Sequence, residues 1–107
     1  MLNASILREL PLNPVTVPPP GTPAVALCNL HRTISSSLDV WECAPGEFEW
    51  QVESNQSACV LAGQAEVDLA DGRHLMLAPG NAFYFPEGLH GHWVVRDRLR
   101  LVSVRMD

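Results

Sequence analysis

At 107 residues the chain has room for one hydrophobic core, since two cores sharing that length would each be marginal. Hydrophobic residues at 47% and charged residues at 18% exclude a disordered or fibrous chain. The net charge is -5 and lysine is absent, which leaves no electrostatic footprint for a nucleic-acid backbone and excludes Schiff-base chemistry.

In chain order, residues 5–10 can form at most one helical turn. The stretch PLNPVTVPPPGTP follows over residues 11–23, with Pro11, Pro14, Pro18, Pro19, Pro20 and Pro23. So few backbone donors remain that it makes neither a helix nor a central strand. Residues 1–23 are therefore expected to be a proline-rich N-terminal arm and residues 24–107 a single folded unit. Asn3, Ser5, Arg8 and Glu9 interrupt the apolar start that a secretion signal needs, and no run reaches membrane-spanning length. A cytoplasmic location with no membrane partner is the default expectation.

From Ala24 onward the chain reads as short strands divided by turn signals, with no sustained helical period. Pro45-Gly46, Asp71-Gly72, Pro79-Gly80 and Pro86-Glu87-Gly88 each preset or permit turn geometry. Between them lie expected strands at 47–52, 57–61, 64–69, 74–77, 82–85 and 92–95. Strands at this spacing make a sandwich or barrel. Alternation assigns faces: Phe48, Trp50 and Val52 share one parity and point inward, and Phe83 and Phe85 do so opposite Tyr84. Asp71-Gly72 closes a hairpin between 67–69 and 75–77.

The isolated chemical groups read as structural. Arg96, Arg98 and Arg100 would share one solvated strand face. Cys28, Cys43 and Cys59 are widely spaced, with no Cys-x-x-Cys pair and no basic neighbour at Cys43 or Cys59, so they read as reduced, mostly buried thiols. The run Ser35 to Ser37 has no histidine placed to activate it, and no phosphate-binding glycine loop occurs.

Residues 79–88, PGNAFYFPEG, resemble the second motif of the cupin superfamily, a glycine, five residues, then Pro-x-Gly. Residues 56–63, QSACVLAG, resemble the end of the first motif. With residues 41–46 and 89–93, the pattern is similar to the cupin subfamily that includes (S)-ureidoglycine aminohydrolase. The resemblance covers about residues 40–101 and implies an all-β fold, a small cupin-type jelly-roll β-barrel behind the proline-rich arm.

In metal-binding cupins the ligands are two histidines one residue apart, a glutamate, and a histidine beyond the second motif. Carried onto this chain, those positions are Trp50, Val52, Gln56 and Gly91. An indole, an alkyl group, a neutral amide and a glycine supply no donor set for a metal ion, so neither metal nor other cofactor is expected. His90 and His92 flank Gly91 and point outward in this register, where they could meet Glu47 or Glu49; a one-residue slip would turn them inward. His31 and His74 have no ligand-spaced partner apart from Cys28 near His31.

The first functional expectation is a metal-free cupin that binds a small polar metabolite. Its site would be lined by Trp50, Val52, Phe83, Phe85, Gly91 and Trp93, with Gln56 fixing orientation. The same aromatics could instead fill the barrel. A second expectation is an enzyme like ureidoglycine aminohydrolase, against which the lost ligands and the absence of a nucleophile constellation weigh. A third is a structural or interaction barrel that forms a homodimer through its arm and an outer face bearing Cys59, Leu61 and Tyr84.

Overall fold

The computed structural model describes residues 3–15 and 23–106. It opens with α1 (Ala4–Glu9), where the side chain of Asn3 caps the helix by accepting from the Ile6 amide at 3.0 Å. Eight strands follow: β1 (Asn13–Pro14), β2 (Val25–Arg32), β3 (Ser36–Cys43), β4 (Gly46–Gln51), β5 (Asn55–Leu69), β6 (His74–Leu77), β7 (Ala82–Phe85) and β8 (His90–Met106). The all-β barrel matches expectation, while α1 runs somewhat longer than the single turn expected within 5–10. Residues 1–2 and 16–22 of the proline-rich arm lie outside the described residues; within the rest, Asn13 and Pro14 pair with β2. No helix among the described residues is long and apolar enough to cross a membrane.

Two long strands organise the barrel. β5 and β8 run antiparallel along their whole length, and each changes its second partner midway. The start of β8 pairs with β4 and its end with β3. The start of β5 pairs with β7 and its end with β6. One layer is therefore β1-β2-β3-β8-β5-β7 and the other β4-β8-β5-β6, sharing two strands that bend between them.

The bend lies where the β5–β8 register shifts, between Val60 and Ala65. Gly63 allows it. Its φ is +90°, and a Cβ there would lie 2.1 Å from the Arg98 carbonyl oxygen, so any side chain would drive the strands apart. The sequence pattern suggested a break here, with separate strands at 57–61 and 64–69; pairing with β8 carries the chain through as one strand. β8 likewise extends well past the expected 92–95.

The inner faces enclose Val60, Val67, Leu77, Phe85, Trp93, Leu99 and Leu101, all almost fully buried. Trp93 is the hub, stacked on Phe48 at 5.9 Å and meeting Trp50, Phe83 and Phe85 edge-on. Such pairs add to the transfer energy of the buried rings, about 0.5–1.5 kcal/mol each. The Asp71-Gly72 hairpin forms as read, with Leu69 and Arg73 joined at 2.8 Å.

The arginine series is more than a solvated face. Arg96 pairs with Glu66 and Arg98 with Glu42, both arginines lying exposed. Arg100 is largely buried: it bonds Glu42 at 2.9 Å and donates to the Leu7 and Leu10 carbonyls, satisfying carbonyls at the end of α1 and tying the helix to the sheet.

Candidate functional site

Burial of polar groups inside this barrel is confined to one place. Ser37, Asp39, Gln56 and Ser103 are the buried polar residues among those described, and cross-strand register brings them together. One row runs Ser37 (β3), Arg105 (β8), Gln56 (β5) and Phe85 (β7). The next runs Asn29 (β2), Asp39 (β3), Ser103 (β8), Ala58 (β5) and Phe83 (β7). All of these face inward, at the end of the barrel away from the Gly63 bend.

A cavity of about 180 Å³ lies against this patch. Asp39, Gln56, Ser103 and Arg105 supply its polar wall, and Trp41, Trp50, Val25, Leu27 and Val15 its apolar one. Trp50 reaches it from the opposite layer, held edge-on to Phe85 and Trp93 at centroid distances of 6.4 and 5.5 Å.

The polar groups divide into satisfied and open ones. Asp39 accepts from Asn29 Nδ2 through Oδ1 and from the Ser37 hydroxyl through Oδ2, both at 2.8 Å. The Arg105 Nε stands 3.7 Å from Oδ2, an ion pair too long for a hydrogen bond. Gln56 is 4% exposed and Ser103 2% exposed, yet among the described residues neither side chain has a hydrogen-bond partner. Both line the cavity, and no fully enclosed side-chain nitrogen or oxygen among the described residues goes unbonded. Four polar residues around an opening, two of them unpaired, are the features of a binding site rather than of a core.

Of the residues expected to contact a ligand, Trp50 and Gln56 line this cavity. Val52, Phe85 and Trp93 are packed in the apolar cluster and Phe83 lies partly buried against it. Gly91 is closed in, since a Cβ there would meet Leu69 Cδ2 and Val67 Cγ1 at 3.2 Å. The part of the barrel beyond Trp50 is thus filled, and the opening lies toward Asp39, Ser103 and Arg105. Sequence reading missed these three and Trp41. Their signal was present as the polar alternations Ser37/Asp39 and Ser103/Arg105, but alternation alone does not say which face is inner.

Residues 30–101 match the EutQ-like cupin domain. The chain belongs to the EutQ-like cupin family. Solved cupin structures share its fold. The EutQ protein of Clostridium difficile superposes with a TM-score of 0.67 at 20% identity, over 78% of this chain and 68% of that one. A putative ethanolamine utilization protein of Salmonella typhimurium gives 0.67 at 19%, over 78% and 69%. A protein of Thermotoga maritima from the duf861 family gives 0.57 at 29%, over 64% and 76%. No curated protein matches the chain in sequence.

At the positions that the resemblance equates with metal ligands stand Trp50, Val52, Gln56 and Gly91. Trp50 and Gly91 are cross-strand partners, one an indole and the other a glycine already crowded by aliphatic side chains. Val52 is buried in the core, and Gln56 alone offers a neutral oxygen. Among the described residues no three His, Cys, Asp or Glu converge to hold an ion. His90 and His92 point outward, as the family register required, and share one carboxylate: His90 Nε2 lies 2.8 Å and His92 Nδ1 2.6 Å from Glu49. These bonds, His92's first, hold Glu49 below its ordinary value, and Glu49 raises His92 in turn.

The thiols are separate from the cavity. Burial pushes Cys43 up to about 11 against the opposing charge of Arg98, so it is a poor nucleophile.

Proposed function

We propose that this cupin binds a small organic molecule, without a metal ion, in the cavity between Trp50 and Gln56. Gln56 carries the reading: its side chain sits at the cavity wall with no partner among the described residues and its amide open to the cavity, where a ligand can bond it. The fixed indole of Trp50 provides an apolar surface opposite. A cavity of about 180 Å³ is smaller than the ~300–1,000 Å³ of drug-sized sites, so the occupant is a small metabolite. Catalysis like that of ureidoglycine aminohydrolase gains no support, because Trp50, Val52, Gln56 and Gly91 cannot assemble the metal site it needs. Titration with small polar metabolites, followed by tryptophan fluorescence and calorimetry, should find a compound that binds the wild type and not Gln56→Ala. Equal binding to both proteins would refute the assignment.

A second reading, compatible with the first, is a homodimer through the outer face of the β3-β8-β5-β7 layer. Tyr84, Val104 and Met106 are exposed there, and Cys59, Ala82, Tyr84, Val102 and Val104 border an open hollow of about 530 Å³. A second copy of the chain would cover them by two-fold pairing. Sedimentation equilibrium of the wild type and Val104→Asp tests this. A wild-type monomer at micromolar concentration would rule it out.

A further inference from the structure

We infer that the molecule bound in this cavity is a carboxylic acid with a neutral, largely apolar remainder, its carboxylate held by Arg105, Ser103 and Gln56. This rests on the cavity being the binding site. It concerns which charge the cavity selects.

The selection follows from how the two opposite charges are already used. Asp39 is 3% exposed, and each of its oxygens accepts from a neutral donor, Oδ1 from Asn29 Nδ2 and Oδ2 from the Ser37 hydroxyl. Its charge is thus stabilised without any hydrogen bond from Arg105. The Arg105 guanidinium keeps only the 3.7 Å approach of its Nε to Oδ2, and among the described residues neither terminal nitrogen has a partner. Its side chain is 41% exposed and lines the cavity, so two N–H-bearing nitrogens remain open at the rim. A guanidinium in that state matches a carboxylate through two parallel bonds.

Arg105 has suitable neighbours. Gln56 is its direct cross-strand partner on β5, and Ser103 lies two residues along the same strand on the same face. The Gln56 amide NH2 and the Ser103 hydroxyl are donors without partners among the described residues. Three open donor groups therefore converge on one wall of the cavity. A carboxylate, which only accepts, satisfies them together. An ammonium group would instead meet the Arg105 guanidinium at the rim, and Asp39, the one carboxylate nearby, is 3% exposed and already accepts from Asn29 and Ser37 beside that guanidinium. The other wall, Trp41, Trp50, Val25 and Leu27, has no charged group and suits an apolar remainder.

The test compares benzoate, isobutyrate, the matching amides, and benzylammonium, each titrated by calorimetry into the wild type, Arg105→Gln, Ser103→Ala and Gln56→Leu. The acids should bind the wild type at least tenfold more tightly than their amides. Arg105→Gln should lose most of that preference, and the advantage should shrink as salt rises. Unchanged melting temperatures in Arg105→Gln would show that the fold is intact. Binding of the amides or of benzylammonium in preference to the acids, still abolished by Gln56→Leu, would overturn the carboxylate inference and leave the cavity as the site. If none of these probes binds, or binding is indifferent to Gln56, both the inference and the reading beneath it fall.

Discussion

Gln56 on β5 and Arg105 on β8 are directly opposed across the inner face of the barrel, yet one is 4% exposed and the other carries a 41% exposed side chain. The pair therefore lies side by side on one wall of the cavity, Gln56 buried and Arg105 at the rim. The buried amide fixes a position that the arginine can reach from outside.

Gln56→Leu should change stability by less than about 1 kcal/mol, because it keeps the volume and breaks no side-chain hydrogen bond to a described residue. Urea denaturation of the ligand-free protein measures this. A loss above about 1 kcal/mol would mean that the amide serves a structural bond.

Trp93→Ala should cost about 3–5 kcal/mol, since Trp93 is 1% exposed and touches Phe48, Trp50, Phe83 and Phe85. Gly91→His should cost about 1–3 kcal/mol by overpacking against Leu69 and Val67. Thermal unfolding checks both. A neutral Gly91→His would show space where the packing allows none.

The inward faces of β4 and β7 were legible in the sequence because Phe48, Trp50, Phe83 and Phe85 alternate with residues that remain exposed. The patch of Asp39, Ser103 and Arg105 was not, and the reason is physical. On β3 and the end of β8 polar and apolar residues are both buried or half-buried: Ser37, Asp39 and Ser103 are buried on the cavity side, while Val40 is buried and Leu38 and Val102 half-buried at the alternate positions. Apolar content alone does not pick the inner face there, because Ser37, Asp39, Ser103 and Arg105 share it with Trp41, Cys43, Leu99 and Leu101. Local rules fail where the barrel holds a polar cavity, as they do at functional sites generally. The length of β8 was hidden by Arg96, Arg98 and Arg100, whose acidic partners Glu66 and Glu42 lie far away in sequence.

The Glu49–His92 contact should leave a pH signature. His92 is raised above its ordinary 6.5, so protonated His92 favours the fold; that contribution is complete below 6.5 and lost as pH rises through the raised value. Glu49 is lowered from 4.5, so its contribution holds above 4.5 and is lost as pH falls through the lowered value. His92→Gln should therefore trail the wild type most between pH 4.5 and 6.5 and converge with it at alkaline pH. Urea midpoints across that range measure the trend, and a gap that widens at alkaline pH would contradict it.

Cys43 should resist thiol reagents in the native state at about pH 8, being buried with its thiol raised to about 11. Cys28 and Cys59, only partly buried, should react first. Mass-spectrometric mapping of a limiting alkylation distinguishes them, and early labelling of Cys43 would show that the core opens there.

The side-chain amide of Gln56 reports on the cavity itself. In a nitrogen-15 spectrum recorded during titration with benzoate, the Gln56 NH2 pair and the Trp50 indole N–H should shift together and saturably. Shifts confined to other residues, with Gln56 and Trp50 unmoved, would contradict a binding site in this barrel.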